Sequence, residues 1–529
     1  MKKYFKTLFI IFSISIFLSS CSKTNEEKNT TSNAYENTTQ NYISTEKTHT
    51  LSDGTVTSDS SEMFSDRDYE VGYSENESVL IQLNGNSVTS TSDSVKITGS
   101  TVTITEEATY IISGTLDDGM LIINSDEKAK PRLIFNNVNI NSNTSAPIYI
   151  LEADKVFITL AQDSVNSLSN GGNFIAIDDN NIDSVIFSKQ DLTLNGSGEL
   201  TINSPVGHGI VCKDDLVFTS GTYNINSATH GLNANDSVRI ANADITITAG
   251  KDGIHSENSD DTTLGFVYIS SGNLTIDATD DGIKAEPYIK IDSGVVNIIK
   301  SYEGLEALKI VINDGNINIV ATDDGLNATG GSDSEGFDTH FDNNQFEDNT
   351  FDSDMYGIKP GGGMHDNKPG GVMHGSIPDN GMTKPSTSDG SINISGGTIY
   401  IKASGDGIDA NGYLNISDGL ITICGPTKGD TATLDYDTTA TITGGIFIGT
   451  GASGMAQTFS DCKQGILSLN VGNQAAGTNI TLKDSNNNCI LSYTPELDFS
   501  VFIFSSPELK KGETYSLTLN QTTGTVIAE

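Results

Sequence analysis

From about residue 210 the chain alternates apolar and polar positions in short runs, and successive runs repeat in step with one another. One series reads Leu216/Phe218, Val238/Ile240, Val267/Ile269, Ile289/Ile291, Ile310/Ile312, Ile392/Ile394 and Leu414/Ile416. A second reads Tyr223/Ile225, Ile245/Ile247, Leu274/Ile276, Val296/Ile298, Ile317/Ile319, Ile399/Ile401 and Ile421/Ile423. It follows a glycine column, Gly221, Gly272, Gly294, Gly315, Gly397 and Gly419, with Ala243 in one turn. Period-two alternation rich in β-branched residues predicts strands with one buried face. A third run follows Gly209, Gly231, Gly253, Gly282, Gly304, Gly325 and Gly407. Each glycine precedes Ile or Leu, an outward residue, and then a small inward one: Cys212, Ala234, Ser256, Ala285, Ala307, Ala328 and Ala410.

The third-run glycines stand 22 residues apart from 209 to 231, from 231 to 253 and from 282 to 304, and 21 apart from 304 to 325. Three strands in about 22 residues predict one turn of a parallel β-solenoid. The fold class is therefore all-β, a parallel β-helix with a small C-terminal β-domain. The longer steps, 253 to 282 and 325 to 407, mark insertions after the same strand. Loops that decorate one face of a repeat protein commonly build its binding side.

The flanks have a different composition. Lys2, Lys3 and Lys6 precede an apolar run that ends Leu18-Ser-Ser-Cys21, which reads as an export signal over residues 1–20. The last four residues resemble a bacterial lipobox, making Cys21 the lipidated first residue of the mature protein, against the alternative of an ordinary cleaved signal. Residues 21–65 are polar and form a flexible tether. The solenoid is assigned to 66–454, with a disordered insert at 330–389 rich in Gly, Asp, Asn, Met and Pro. The insert repeats Lys-Pro-Gly-Gly-x-Met-His, ending at His365 and His374, which is either a low-complexity loop or a contact for a soft metal. Residues 455–529 form a β cap that covers the open edge of the last coil. The expected location is the bacterial cell surface, attached to the membrane through the lipid, and the chain is expected to be a monomer.

A formal charge of −40 over 529 residues excludes a nucleic-acid partner. Besides Cys21 there are four cysteines: Cys212 belongs to the inward small column, and Cys462 and Cys489 are candidates for a disulfide.

The candidate chemistry lies just before the third-run glycines. That column reads His208, His230, Asp252, Asp281, Glu303, Asp324 and Asp406. Stacked coils bring such side chains to ~4.8 Å, where two carboxylates repel by ~1 kcal/mol in water and ~3.5 at an effective dielectric of 20. A bridging Ca2+ relieves this, with further oxygens from Asp280, Asp323, Glu257, Glu286, Glu306 and Asp409. A solvated stripe partly neutralised by Lys251 and Lys284 is the alternative. Phe266, Tyr268, Tyr288 and Tyr413 lie at outward positions of another wall, as a platform for sugar rings or simply as strand formers. A lyase would need a proton-abstracting base such as Lys213, Lys284, Lys290 or Lys309, none of which the sequence singles out.

Several longer runs resemble one family. Phe64-Ser-Asp-Arg-Asp-Tyr, Ser113-Gly-Thr-Leu-Asp-Asp-Gly, Ala146-Pro-Ile-Tyr-Ile-Leu-Glu-Ala-Asp-Lys-Val, Val185-Ile-Phe-Ser-Lys-Gln-Asp-Leu-Thr-Leu-Asn-Gly, Gly250-Lys-Asp-Gly-Ile-His and Ser505-Ser-Pro-Glu-Leu-Lys-Lys-Gly-Glu-Thr-Tyr are similar to bacterial carbohydrate-binding domain proteins typified by clostridial cellulose- and pectin-binding β-helices. The resemblance implies a right-handed helix, bound calcium and non-catalytic attachment to polysaccharide. Its likeness to calcium-dependent pectate lyases keeps that activity as an alternative, beside a purely structural envelope or adhesion role.

Overall fold

The computed structural model describes residues 63–172, 174–328 and 390–529. Cys21, the export signal, nearly all of the tether and the Met-His runs of the insert lie outside them.

The three strand series become three parallel walls of a solenoid-like, nearly closed barrel. On one wall Ile210, Leu232, Ile254, Ile283, Leu305, Leu326, Ile408 and Leu434 are successive register partners, so each coil stacks on the last without a slip. All eight are fully buried. The insertions leave this register untouched: Ile254 pairs with Ile283 and Leu326 with Ile408 as if the chain between them were absent. The other walls pair likewise, as in Val238↔Val267↔Ile289 and Ile245↔Leu274↔Val296. They merge where the long strand Arg132–Ser142 pairs with Lys155–Leu160 through its first half and with Val165–Asn170 through its second.

The two glycine columns answer to different constraints. Glycines of the second column take the left-handed region, Gly272 at φ 102 and Gly294 at φ 101; in the coil where Ala243 replaces glycine, Asn242 takes it instead at φ 50. In the first column the constraint is space. A methyl at Gly231 would collide with Ile247 Cγ2 and with the carbonyl oxygen of Gly253 in the next coil.

Both ends depart from the parallel pattern. Hairpins Val79–Gly85/Ser87–Ser90 and Val95–Thr98/Thr101–Ile104 start the solenoid. At the far end Phe499–Ser506 pairs antiparallel with the strands at 446–451 and 465–474, and a four-stranded antiparallel sheet follows with its own core around Ile480, Leu482, Phe502 and Tyr515. Cys212 packs in the central core, and among the described residues no disulfide joins Cys462 to Cys489. Among the described residues no helix is long and apolar enough to cross a membrane.

Candidate functional site

The column before the glycines is one continuous ridge, and its backbone explains part of its chemistry. Asp252 Oδ1 accepts the amide of Asp281 at 3.1 Å, and Asp281 Oδ1 accepts that of Glu303 at 3.2 Å. Asp324 Oδ1 accepts the amide of Asp406, and Asp406 that of Ala432. Each of these four acids thus uses one oxygen to tie its coil to the next, a role that lysine, which has no acceptor, would not fill.

The remaining donors divide the ridge into unlike regions. Around Asp252, which is 3% exposed, Oδ2 lies 2.8 Å from His255 Nδ1 and 3.1 Å from His230 Nδ1. Burial pushes this carboxyl up, but the two imidazoles outweigh it and hold it well below the usual carboxylate range. His255 is raised: burial opposes its charge, and Asp252 and Glu257 favour it more. Burial and the neighbouring His230 push His208 down to about 3. Asp280, exposed on the same turn, groups with Asp252 and Asp281.

In the next region Lys284 Nζ reaches Glu306 at 2.5 Å and Asp281 at 3.4 Å. Asp281 is nevertheless raised to about 8 by burial and by Glu306, and Glu303 to about 10 by burial and by Glu306 and Asp281. A lysine already occupies the middle of this cluster.

The third region, Asp324, Asp406 and Asp409, is all oxygen. Three carboxylate oxygens lie within 4.8 Å of one another, the spread expected around one ion with Ca–O distances of ~2.3–2.6 Å. Burial and the Asp406 charge raise Asp324 to about 8, and Asp406 is raised to about 6, chiefly by burial. A methyl on Gly405 would strike Oδ1 of both Asp323 and Asp324, so glycine there leaves room for their convergence. Of the acids expected to share one calcium stripe, Asp324 and Asp406 fit a hard cation best, with Asp323 alongside and Asp409 from the adjacent outward position. Asp252 is engaged by imidazoles, Glu257 binds His255 Nε2 at 3.2 Å, and Glu286 is exposed outside these clusters.

The aromatic platform needs correction. Phe266, Tyr268 and Tyr288 are 5%, 0% and 8% exposed, because Met63 and Phe64 lie across them. Phe266 stacks on Tyr288 at 4.8 Å and under Arg239, while the Tyr268 hydroxyl donates to Asp292 at 2.5 Å. These rings face away from the coil interior as the pattern implied, yet a strap that the pattern did not show covers them. Its anchor is Asp68, buried against Lys155 Nζ at 2.9 Å and accepting from Thr193 at 2.6 Å. Tyr413 stays partly exposed.

Much of this ridge lies in a stretch shared with known proteins. Residues 98–345 match the family model described as carbohydrate-binding domain-containing protein. A protein of that description from Acetivibrio thermocellus is 35% identical over 135 residues, 25% of this chain; the chain spans about half, 47%, of that relative. Part of this chain is thus similar to bacterial carbohydrate-binding domain proteins. A solved structure from C. thermocellum, described as a polysaccharide lyase-like protein in a gadolinium derivative, is 32% identical, covers 44% of this chain and 91% of that one, and has a TM-score of 0.40.

The structure also holds residues that the repeat reading passed over. Tyr302, 47% exposed, immediately precedes Glu303 of the ridge and hydrogen-bonds Asp323, which raises its hydroxyl. Its position two before a column glycine was the available signal. Arg67, Lys130, Arg132 and Phe157 line a cavity of about 320 Å³. Its cations are engaged: Lys130 with Asp154 at 2.9 Å, Arg67 with Glu107 at 3.4 Å, and Arg132 with the carbonyl of Gly72 at 2.7 Å, so the pocket serves to hold the strap.

Proposed function

We propose that this chain is a lipid-anchored surface protein that holds polysaccharide without cleaving it, on a right-handed parallel β-helix stiffened by calcium. The observation that carries the reading is the match of residues 98–345 to carbohydrate-binding domain proteins, a stretch that includes most of the ridge. Cys21 would supply the anchor, and residues 21–65 the reach.

Calcium would sit among Asp324, Asp406 and Asp409, where all the donors are oxygen. The ion would cancel the repulsion between coils and present a positive point on an otherwise acidic surface, through which an acidic glycan can approach. Tyr302 and Tyr413 are partly open rings through which sugar could be contacted. Many weak contacts along one polymer would add through effective concentration. Non-cleaving attachment is favoured by Lys284, whose two carboxylate partners hold its ammonium charged, the reverse of what a proton-abstracting base needs.

The test is a glycan array read with and without chelator, beside an assay for unsaturated uronides released from polygalacturonate. Retention of glycan without product is the expected result. Product formation would replace binding by lyase activity, and no retention on any glycan would leave a structural envelope role.

A further inference from the structure

We infer that His230, His255 and Asp252 form a site for a borderline transition-metal dication of the Zn2+ or Co2+ type, separate from the calcium position. Residues from two successive coils converge here. His230 and Asp252 are neighbours in the column, and His255 lies on the strand Ile254–Ser256, one outward position beyond. Their ligand atoms lie within 4.8 Å of one another, with the His255 and His230 Nδ1 atoms 2.8 and 3.1 Å from Asp252 Oδ2.

Ligands around a tetrahedral ion with metal–ligand bonds of ~2.0–2.1 Å are ~3.4 Å apart. The observed 2.8 and 3.1 Å require an opening of only a few tenths of an ångström. His230 Nδ1 is buried and, despite its distance from Asp252, makes no hydrogen bond. His255 Nε2 lies 3.2 Å from Glu257 Oε2, which places a carboxylate behind a ligating histidine, and its Nδ1 hydrogen-bonds Asp252 Oδ2 at 2.8 Å, so an arriving metal takes the place of the proton between them. Asp252 Oδ1 is held by the Asp281 amide, so the carboxylate is oriented by backbone before any ion arrives. Two nitrogens and one oxygen suit zinc or cobalt and are poor for calcium. Three protein ligands leave one coordination position for water or another small donor.

The experiment titrates the untagged mature protein, freed of metal, with Co2+. The expected result is one equivalent bound with the absorption of a tetrahedral or five-coordinate cobalt centre, displaced by Zn2+ and not by Ca2+. His255→Ala and His230→Ala should abolish it. Asp324→Asn with Asp406→Asn, and His365→Ala with His374→Ala, should leave it intact. Glu257→Gln, at a side chain 51% exposed, should weaken affinity by ~10–100-fold while the protein folds normally, which keeps the test decisive should a histidine variant fail to fold. No saturable Co2+ binding, or an unchanged equivalent in Glu257→Gln together with a folded His255→Ala, would overturn the site. No glycan retention by the wild type while the cobalt equivalent binds would count against the polysaccharide-binding reading alone.

Discussion

Two stretches of one ridge, His230 to His255 and Asp324 to Asp409, occupy equivalent places on different coils of the same wall and present opposite chemistry. At the first, imidazoles neutralise a buried carboxylate from within the protein. At the second, carboxylates face one another, and burial with mutual repulsion pushes their proton affinity up. The scaffold is the same in both, so the difference lies wholly in outward side chains, and a solenoid can change its ligand from coil to coil without disturbing its core. One stretch balances its buried charge with its own imidazoles; the other needs a cation or protons.

The largest expected effect breaks the first stretch. Asp252→Ala leaves two buried imidazoles and the Asp281 amide without their partner and should cost about 3 kcal/mol in chelator, read as a lower denaturant midpoint. Next comes Asp324→Asn with Asp406→Asn, which keeps an oxygen for each amide and removes the charge. With calcium at a hundred times its dissociation constant, the wild type gains about 2.7 kcal/mol that the variant lacks. In chelator the order should level or reverse, because the variant is relieved of repulsion; calorimetry in both buffers reads the change of sign.

Third is the response to pH. Asp281 and Asp324 ionise near 8 in the folded protein, but at ~4 in the unfolded chain. Between these values the folded state holds protons that the unfolded chain has released, so stability falls as pH rises through that window. In chelator the melting temperature should therefore drop from about pH 5 to about pH 8, and calcium should flatten the slope. Smallest is Tyr302→Ala, expected to weaken retention on immobilised polysaccharide by about 1 kcal/mol with melting unchanged, since the ring is half exposed.

The alternation of Val238/Ile240 with Ile245/Ile247 and the glycine steps were enough to read the stacking, because each is a local consequence of the pleat and the turn. The ridge was legible for the same reason: a column in the sequence is a column in space once the coils register. What periodicity left unseen is contact between parts remote in the chain. Met63 and Phe64 cover Phe266 and Tyr288 some two hundred residues later, and nothing local to either segment announces the other. Nor does a column show which acids are already neutralised. Lys284 between Asp281 and Glu306, and His255 against Asp252, come from the adjacent outward position, so the ridge read as uniform when its coils are not.

The most direct measurement is anomalous diffraction from crystals grown in calcium. The account predicts a calcium peak within bonding distance of Asp324, Asp406 and Asp409 and none at Asp252. A calcium ion between Asp252 and the histidines, or an empty Asp324–Asp409 cluster at saturating calcium, would contradict it.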